Sequence, residues 1–266
     1  MLQKLSLIVL TSICLCASAF AAPLKIVIDP GHGGVDDGAV RGKLREAEIA
    51  LKISNELATQ LRAKNHEVIL TRQNDKAISL KQRTDLAERE KADLFISIHA
   101  NASEDVRAKG VEFYFQNQLP ADEEAAFLAS KENQAITHDS QSETGDSDVS
   151  QILADLQRNY KLQSSFEFSR VLAETWAIDG TKRTRMIRQA PFYVISQTTM
   201  PSVLVEVGFV SHKAEGQLLT SHVHQHEIAL QIAKAVEEYK DEIAVAPAAG
   251  SGSGSGPARS LASPLE

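Results

Sequence analysis

The stretch that decides the fold is Leu24-Lys25-Ile26-Val27-Ile28-Asp29-Pro30-Gly31-His32-Gly33-Gly34. Its first half is apolar and β-branched, which is typical of a buried strand, and it ends at Pro30 in a glycine-rich turn. The glycines are too few and wrongly spaced for a phosphate-binding loop or a dinucleotide fingerprint. His32 is therefore the polar group that the turn presents at the carboxyl end of the strand, where open α/β sheets bind their ligands.

Strands and helices alternate after this stretch. The spacing of apolar residues predicts helices over 47–64, 79–90, 122–133 and 225–238, and strands over 67–71, 93–99, 110–115, 192–195 and 202–207. Alternation of this kind implies parallel strands joined by right-handed crossovers. We therefore expect an α/β fold: a single domain with a mostly parallel twisted sheet of about six strands, helices on both faces and a site at the strand carboxyl ends.

Composition divides the 266 residues into segments. Residues 1–22 combine Lys4, a short apolar run and Ala19-Phe20-Ala21, the plan of a secretory signal peptide, so we expect export to the periplasm or cell wall. Residues 23–242 form the expected folded domain. Within it, the polar insertion 134–160 is either a regulatory lid or a disordered loop. Residues 243–266, rich in Pro, Ala, Gly and Ser, predict a flexible tail.

Charge and cysteine content exclude several classes of protein. The net charge of −7 gives no basic face for nucleic acid and no attraction to anionic lipids. The apolar run near the start is too short to cross a bilayer, so we expect no membrane span in the mature form. Cys14 and Cys16 both lie in the predicted signal peptide, so the mature chain has no thiol chemistry.

Two histidines and two glutamates stand where strands end or helices begin. His32 and His99 each follow an apolar strand, Glu46 begins the first helix, and Glu206 interrupts the last apolar strand. Two His plus one Glu is a ligand set of catalytic zinc, and a further carboxylate can act as general base. The alternative is that backbone carbonyls satisfy the histidines and that Glu206 is a buried partner of an arginine such as Arg83.

Five blocks of the sequence carry a resemblance to a known family. They are 29–34 (DPGHGG), 46–51 (EAEIAL), Thr71-Arg72 with Asp75, Leu80 and Arg83, 92–101 (ADLFISIHAN) and 201–211 (PSVLVEVGFVS). In this order the blocks resemble the zinc-dependent N-acetylmuramoyl-L-alanine amidases, over about residues 24–240.

The resemblance implies a site and a reaction. His32, Glu46 and His99 would hold Zn²⁺, and Glu206 would be the catalytic carboxylate. The substrate would be peptidoglycan, cut at the amide between the lactyl group of N-acetylmuramic acid and L-alanine. Asp29, Asp93 and Arg83 are candidates for a supporting shell, and the alternative for the two aspartates is turn or capping hydrogen bonds.

Residues 132–135 and the insertion resemble a segment of periplasmic cell-division amidases. In those relatives a helix covers the zinc cleft until a partner with a LytM-type domain displaces it. The resemblance therefore implies autoinhibition, with Glu132 as the inhibitory zinc contact. The composition of the insertion fits a disordered surface loop equally well.

Two rival functions stay open on the sequence alone. A zinc peptidase that cuts within the stem peptide would use the same metal machinery with different pocket contacts. A wall-binding regulator would have lost catalysis, although all four expected metal and acid positions are filled here. His222, His224 and His226 resemble a metal cluster, but only the first and third share a helix face, and we interpret them as a solvated helix start.

Overall fold

The structure, a computed structural model, describes residues 22–117, 119–135, 148–178 and 186–245, and every structural statement below concerns these residues. The strands are β1 (Lys25–Pro30), β2 (Val40–Arg41), β3 (Leu44–Arg45), β4 (Glu67–Leu70), β5 (Leu94–Asn101), β6 (Glu112–Gln116), β7 (Ile187–Ala190) and β8 (Ser202–Phe209). The helices are α1 (Glu46–Ala63), α2 (Leu80–Glu90), α3 (Glu123–Glu132), α4 (Asp148–Thr175), α5 (Tyr193–Ser196), α6 (Lys213–Leu218) and α7 (His222–Val245), and a short 3-10 turn, Asn133–Ala135, follows α3.

A six-stranded sheet forms the centre of the fold, in the order β4-β1-β5-β8-β6-β7. The first four of these strands are mutually parallel. β6 runs antiparallel to β8 and parallel to β7, so the sheet is mixed but mostly parallel. The expected α/β class and strand number are confirmed.

Helices cover both faces of the sheet. Successive side chains along a strand point to opposite faces, so alternate residues pack against different helices. Ile26 and Ile28 of β1 join the apolar cluster under α1, α4 and α7, whereas Val27 joins the cluster under α2, α3 and α5. Asp29 follows Val27 on the second face. The polar residues at the carboxyl end of the sheet therefore lie on the side covered by α2 and α3.

The predicted strand over 192–195 is wrong. The edge strand is β7, five residues earlier, and Tyr193–Ser196 is one helical turn, α5. A short apolar run such as 192–195 has no period that separates a strand from a buried helical turn. β7 contains the polar residues Arg188 and Gln189, so it lacks the apolar pattern of a buried strand. An edge strand can carry such residues, since it buries few side chains.

The predicted insertion 134–160 is not a loop throughout. Residues 136–147 lie outside the described residues, but α4 already begins at Asp148. The sequence prediction missed this start because the apolar residues Leu153, Leu156 and Tyr160 follow a helical spacing yet stay exposed.

Two predicted end segments lie mostly beyond the described residues. These are the signal peptide, of which residues 1–21 are not described, and the tail, of which residues 246–266 are not described. Residues 243–245, predicted as tail, belong to α7 instead. Among the described residues, no helix is both long and apolar enough to cross a bilayer.

Candidate metal centre

Four side chains at the carboxyl edge of the sheet bring one potential ligand atom each to a common point. His32, Glu46, His99 and Glu132 offer atoms that all lie within 4.8 Å of one another. The Nε2 atom of His32 lies 3.1 Å from Glu46 Oε1 and 3.1 Å from Glu132 Oε2. The Nδ1 atom of His99 lies 2.9 Å from Glu46 Oε1 and 3.5 Å from Glu132 Oε2. Tetrahedral zinc with ligands at about 2 Å requires spacings of about 3.3 Å, so this donor set fits the ion.

The backbone around His32 is shaped for close packing of the two histidines. His32 itself adopts a left-handed conformation with φ of 56°, which is uncommon for a residue other than glycine. A Cβ atom on the preceding Gly31 would lie 2.4 Å from the ring of His99. Glycine at this position therefore lets the β1 turn approach β5 closely enough for both rings to share one site.

Hydrogen bonds orient the ring of His32 and the carboxylate of Glu46. His32 Nδ1 lies 2.8 Å from the carboxylate of Asp36, which leaves Nε2 directed at the cluster. That Nε2 atom is buried and has no hydrogen-bond partner of good geometry despite its two close carboxylates, as expected of an atom shaped to bind an ion. Glu46 accepts hydrogen bonds from the backbone N–H groups of Ala39 and Ala100, so its position is fixed as well.

Glu206 lies beside this cluster in the middle of the sheet. It pairs in register with His99 on β5 and with Glu112 on β6, so the three side chains form a row on one face. Glu206 is 1% exposed, and its Oε2 atom has no hydrogen-bond partner. The alternative that Arg83 pairs with Glu206 is wrong, because Arg83 binds Asp29 at 2.7 Å instead.

The cluster holds more negative charge than its two imidazoles balance. Burial, together with the charges of Glu46 and Glu132, raises the pKa of Glu206 well above its ordinary value. Burial lowers the pKa of His32, but the charge of Glu46 and hydrogen bonds to Asp36 and Glu132 outweigh it, and the pKa ends well above normal. Burial raises the pKa of Glu46, yet the charge of His32 brings it well below its usual range. A divalent cation would neutralise this excess of carboxylates.

Asp29 and Arg83 support the turn that carries His32. Asp29 accepts hydrogen bonds from Thr71, Arg83 and Ser97. Burial raises the pKa of Asp29, but the charge of Arg83 and these hydrogen bonds lower it below the ordinary value. Arg83 also donates to the carbonyls of Pro30 and His32, so the pair holds the turn rather than the ion.

Asp93 does not lie at the site, and the expectation that it supports the metal centre is wrong. Its carboxylate accepts a hydrogen bond from the backbone N–H of Lys25, at the start of β1. Six residues of extended strand, about 20 Å, separate it from His99. The hydrogen bond to Lys25 is also neither a turn nor a helix cap, because it joins residues 68 positions apart.

Sequence reasoning missed Asp36, and it quoted Arg72 only as part of a family block without assigning it a role. Asp36 orients the ring of His32, and its only signal was an acidic residue four positions after a candidate ligand. Arg72 is buried directly after β4 and donates to the backbone of the His32 turn. Its charge right after an apolar strand was visible, but the sequence could not give its partners.

A cleft borders the cluster on the side of α3 and α5. Its walls include Ile78, Leu80, Phe192, Tyr193 and Val194. The carboxylate of Glu132, at the last residue of α3, lines this cleft together with His32 and His99 and lies 3.1 Å from His32 Nε2. The cleft therefore opens directly onto the ligand cluster.

The histidines of α7 form no comparable group. His226 lies 2.8 Å from Glu56, and His224 lies 3.6 Å from Glu227. Within the described parts of the chain, only the four residues around His32 bring three or more potential ligand atoms this close together.

Fold and site together define an α/β domain with a side-chain cluster that could hold a metal ion, beside a buried glutamate. Residues 26–238 match the family model for N-acetylmuramoyl-L-alanine amidases, and the chain belongs to this family.

Individual relatives agree with this assignment. The chain is 35% identical to N-acetylmuramoyl-L-alanine amidase AmiC of Neisseria meningitidis over 80% of its own length and 52% of the relative. It is 31% identical to AmiC of Escherichia coli, over 82% of the chain and 53% of the relative. The chain thus spans about half the length of these two curated relatives. The solved CwlD amidase of Clostridioides difficile, in complex with the GerS lipoprotein, is 25% identical with a TM-score of 0.63, over 82% of this chain and 99% of that one.

Proposed function

We propose that this chain is a zinc-dependent amidase of the cell envelope that cuts peptidoglycan between N-acetylmuramic acid and the L-alanine of the stem peptide. The observation that carries the proposal is the convergence of His32, Glu46 and His99 beside the unpartnered carboxylate of Glu206. Membership of the amidase family supplies the bond and the substrate. The residues 1–22, with their signal-peptide plan, support export to the periplasm or cell wall.

The proposed roles follow from the chemistry of the donor set. His32 Nε2, His99 Nδ1 and Glu46 would hold the zinc ion, with Asp36 fixing the tautomer of His32. When bound, zinc supplies a Lewis acid that polarises the scissile carbonyl and lowers the pKa of water. Glu206 takes the proton of the attacking water and delivers it to the leaving amine of L-alanine. The raised pKa of Glu206 has the direction expected of a carboxylate that takes up a proton.

Glu132 gives the proposal a regulatory part. Its carboxylate takes the fourth position of the cluster, which catalysis needs for water and substrate. We therefore propose that α3 holds the enzyme in an inhibited state through Glu132. The apolar face of α3 is small, with Ala125, Leu128 and Ala129, so displacing the helix exposes little apolar surface.

A partner protein would release this inhibition. The first half of α4 carries an exposed apolar row, Leu153, Leu156 and Tyr160, each at least 55% exposed. A row of this kind on a helix suits a protein partner better than solvent. By resemblance to the cell-division amidases, the expected partner is a LytM-domain activator, and the solved CwlD–GerS complex shows that one relative assembles with another protein.

The first test combines zinc content with product release by the purified chain. We expect one zinc per chain in the wild type and in Glu206→Gln, and at least a hundredfold loss of peptide release in the variant only. Glu112→Gln, the register neighbour of Glu206, is the matched control and should retain most activity. A variant Glu206→Gln as active as the wild type would remove Glu206 from the mechanism.

A second variant tests the inhibition separately. Glu132→Ala should release peptide faster than the wild type while zinc content stays the same. Glu123→Ala, an exposed glutamate in the first turn of the same helix, is the control and should behave as the wild type. Loss of zinc or of activity in Glu132→Ala would instead make Glu132 a working ligand, and the autoinhibition would be wrong.

A further inference from the structure

We propose that Arg72 is a positioning residue that fixes the distance between two of the metal-ligand segments, the turn of His32 and the first turn of α1 with Glu46. This inference rests on the proposed zinc site. It assigns a role in building that site to a residue that touches neither the ion nor the substrate.

The contacts of Arg72 are all with main-chain carbonyls. The side chain is 1% exposed, and its Nε donates to Pro30 O at 3.0 Å. Nη2 donates both to Gly31 O at 2.6 Å and to Ala47 O at 2.8 Å, and Nη1 donates to Asn74 O at 3.2 Å. None of the described carboxylates forms an ion pair with this guanidinium. The fork therefore satisfies backbone oxygens only.

The location of these carbonyls carries the argument. Pro30 and Gly31 directly precede His32, and Ala47 directly follows Glu46. One planar, rigid group thus joins the backbone beside one ligand to the backbone beside another. A shift of either segment by 1 Å would break at least one of these hydrogen bonds.

Burying a guanidinium that forms no ion pair with the described carboxylates is energetically costly, so other interactions must compensate for the lost hydration. The desolvation of a buried ion costs several kcal/mol, and apolar residues of similar volume often stabilise a core better. Space-filling alone therefore does not explain an arginine at this place. A fork that spans two segments explains both the charge and its partners.

The His32 turn needs such a support because its backbone is strained. A left-handed residue other than glycine is strained and persists only where its surroundings hold it. Arg83 donates to Pro30 O at 2.6 Å and to His32 O at 2.8 Å. Arg72 also donates to Pro30 O and adds Gly31 O, and of the two arginines only Arg72 reaches across to Ala47 in α1. Without Arg72, zinc binding would also have to order the His32 turn, and the zinc affinity would be lower.

The experiment measures Zn²⁺ affinity of the metal-free chain by competition with a chromophoric chelator. Four proteins are compared: wild type, Arg72→Met, Arg72→Lys and Lys161→Met. Lys161 is the matched control, because it too is a buried cation that donates only to backbone carbonyls, those of Ser196 and Thr198. These precede β8, at the opposite end of the sheet from the cluster. Thermal unfolding of each metal-free protein reports its stability in parallel.

We expect Arg72→Met to bind zinc about 10- to 100-fold more weakly than the wild type. Arg72→Lys should fall in between, since an ammonium group can replace some of these hydrogen bonds but cannot span both segments. Lys161→Met should lose stability and keep wild-type zinc affinity. This difference separates positioning of the site from a general loss of stability.

Three outcomes would overturn the inference in different ways. Wild-type zinc affinity in Arg72→Lys and Arg72→Met would show that the fork does not position the ligands, and Arg72→Lys alone decides the point if Arg72→Met does not fold. An equal loss of zinc affinity in Lys161→Met would show that the Arg72 substitutions weaken zinc binding only through a general loss of stability. A wild-type chain that binds no zinc would contradict the proposed function itself, and the inference with it.

Discussion

At the scale of single residues, the site depends on glycine as much as on its ligands. Gly31 has no Cβ, and the space that one would occupy is filled by the ring of His99, 2.4 Å away. Imidazole rings at this depth cannot move far, since His99 is buried within β5. The turn at Gly31 therefore restricts the position of the His99 ring, and the ring restricts the position of the turn.

Gly31→Ala should lower zinc affinity about 100-fold while the chain stays folded, because the added methyl group forces His32 and His99 apart. Chelator competition measures the affinity, and circular dichroism reports the fold. Gly42→Ala is the control for glycine replacement, since a Cβ there meets nothing within 4 Å, although its φ of 63° adds strain. Unchanged zinc affinity in Gly31→Ala would contradict the geometry of the paired histidines.

At the scale of elements, α3 is held at its carboxyl end by one side chain. Asn133 donates from its amide to Pro191 O at 2.9 Å and accepts from the backbone N–H of Tyr193 at 2.8 Å. These two hydrogen bonds join the end of α3 to the segment before α5. They lie next to Glu132, so they keep its carboxylate over the histidines.

Asn133→Ala should therefore raise basal activity, by about tenfold if the two bonds contribute roughly 1–2 kcal/mol to the closed state. The rate of peptide release from purified peptidoglycan measures it. Asn117→Ala, which removes a hydrogen bond to Gln189 before α3, is the control. Activity no higher than that of the wild type would mean that Asn133 does not keep α3 closed.

α4 offers a test of pH dependence. Burial lowers the pKa of Lys161 to about 8, whereas an unfolded lysine titrates near 10.4. Between these two pKa values the unfolded chain binds more protons than the folded chain. Burial of the charged lysine therefore destabilises the folded chain fully below pH 8, and this destabilisation decreases as the pH rises towards 10. The free energy of unfolding of the wild type, relative to that of Lys161→Met, should increase over this range. Chemical denaturation at pH 7, 8, 9 and 10 measures the difference, and parallel pH profiles would contradict the prediction.

The elements that the sequence predicted best are those buried on both faces. β1, β5 and β8 are continuous apolar runs, and the polar residues that interrupt or end them are the ones that meet at the site. β7 and the start of α4 were missed because an edge strand and an exposed helix bury too little to leave a pattern. Arg72 shows the remaining limit: its residue type was visible, but its backbone partners depend on tertiary structure.

At the scale of the whole molecule, the metal should stabilise the folded chain. The proposed zinc ligands come together only on folding, from the turn after β1, from α1 and from β5, so metal binding should add to the free energy of unfolding. At a zinc concentration about a thousandfold above Kd the gain is about 4 kcal/mol, or roughly 10 °C in Tm for a domain of this size. Scanning calorimetry with and without chelator measures it. His99→Ala should show no such shift, and a zinc-independent Tm in the wild type would contradict a site built at the centre of the fold.

The most direct test of the central claim is the mass of the products that the zinc-loaded Glu132→Ala protein releases from purified peptidoglycan. The account predicts intact stem peptides with a free N-terminal alanine, together with glycan strands that have lost their peptides. Fragments cut within the stem peptide would identify a peptidase instead. No release at all from a folded, zinc-loaded protein would contradict the amidase assignment and favour a wall-binding regulator.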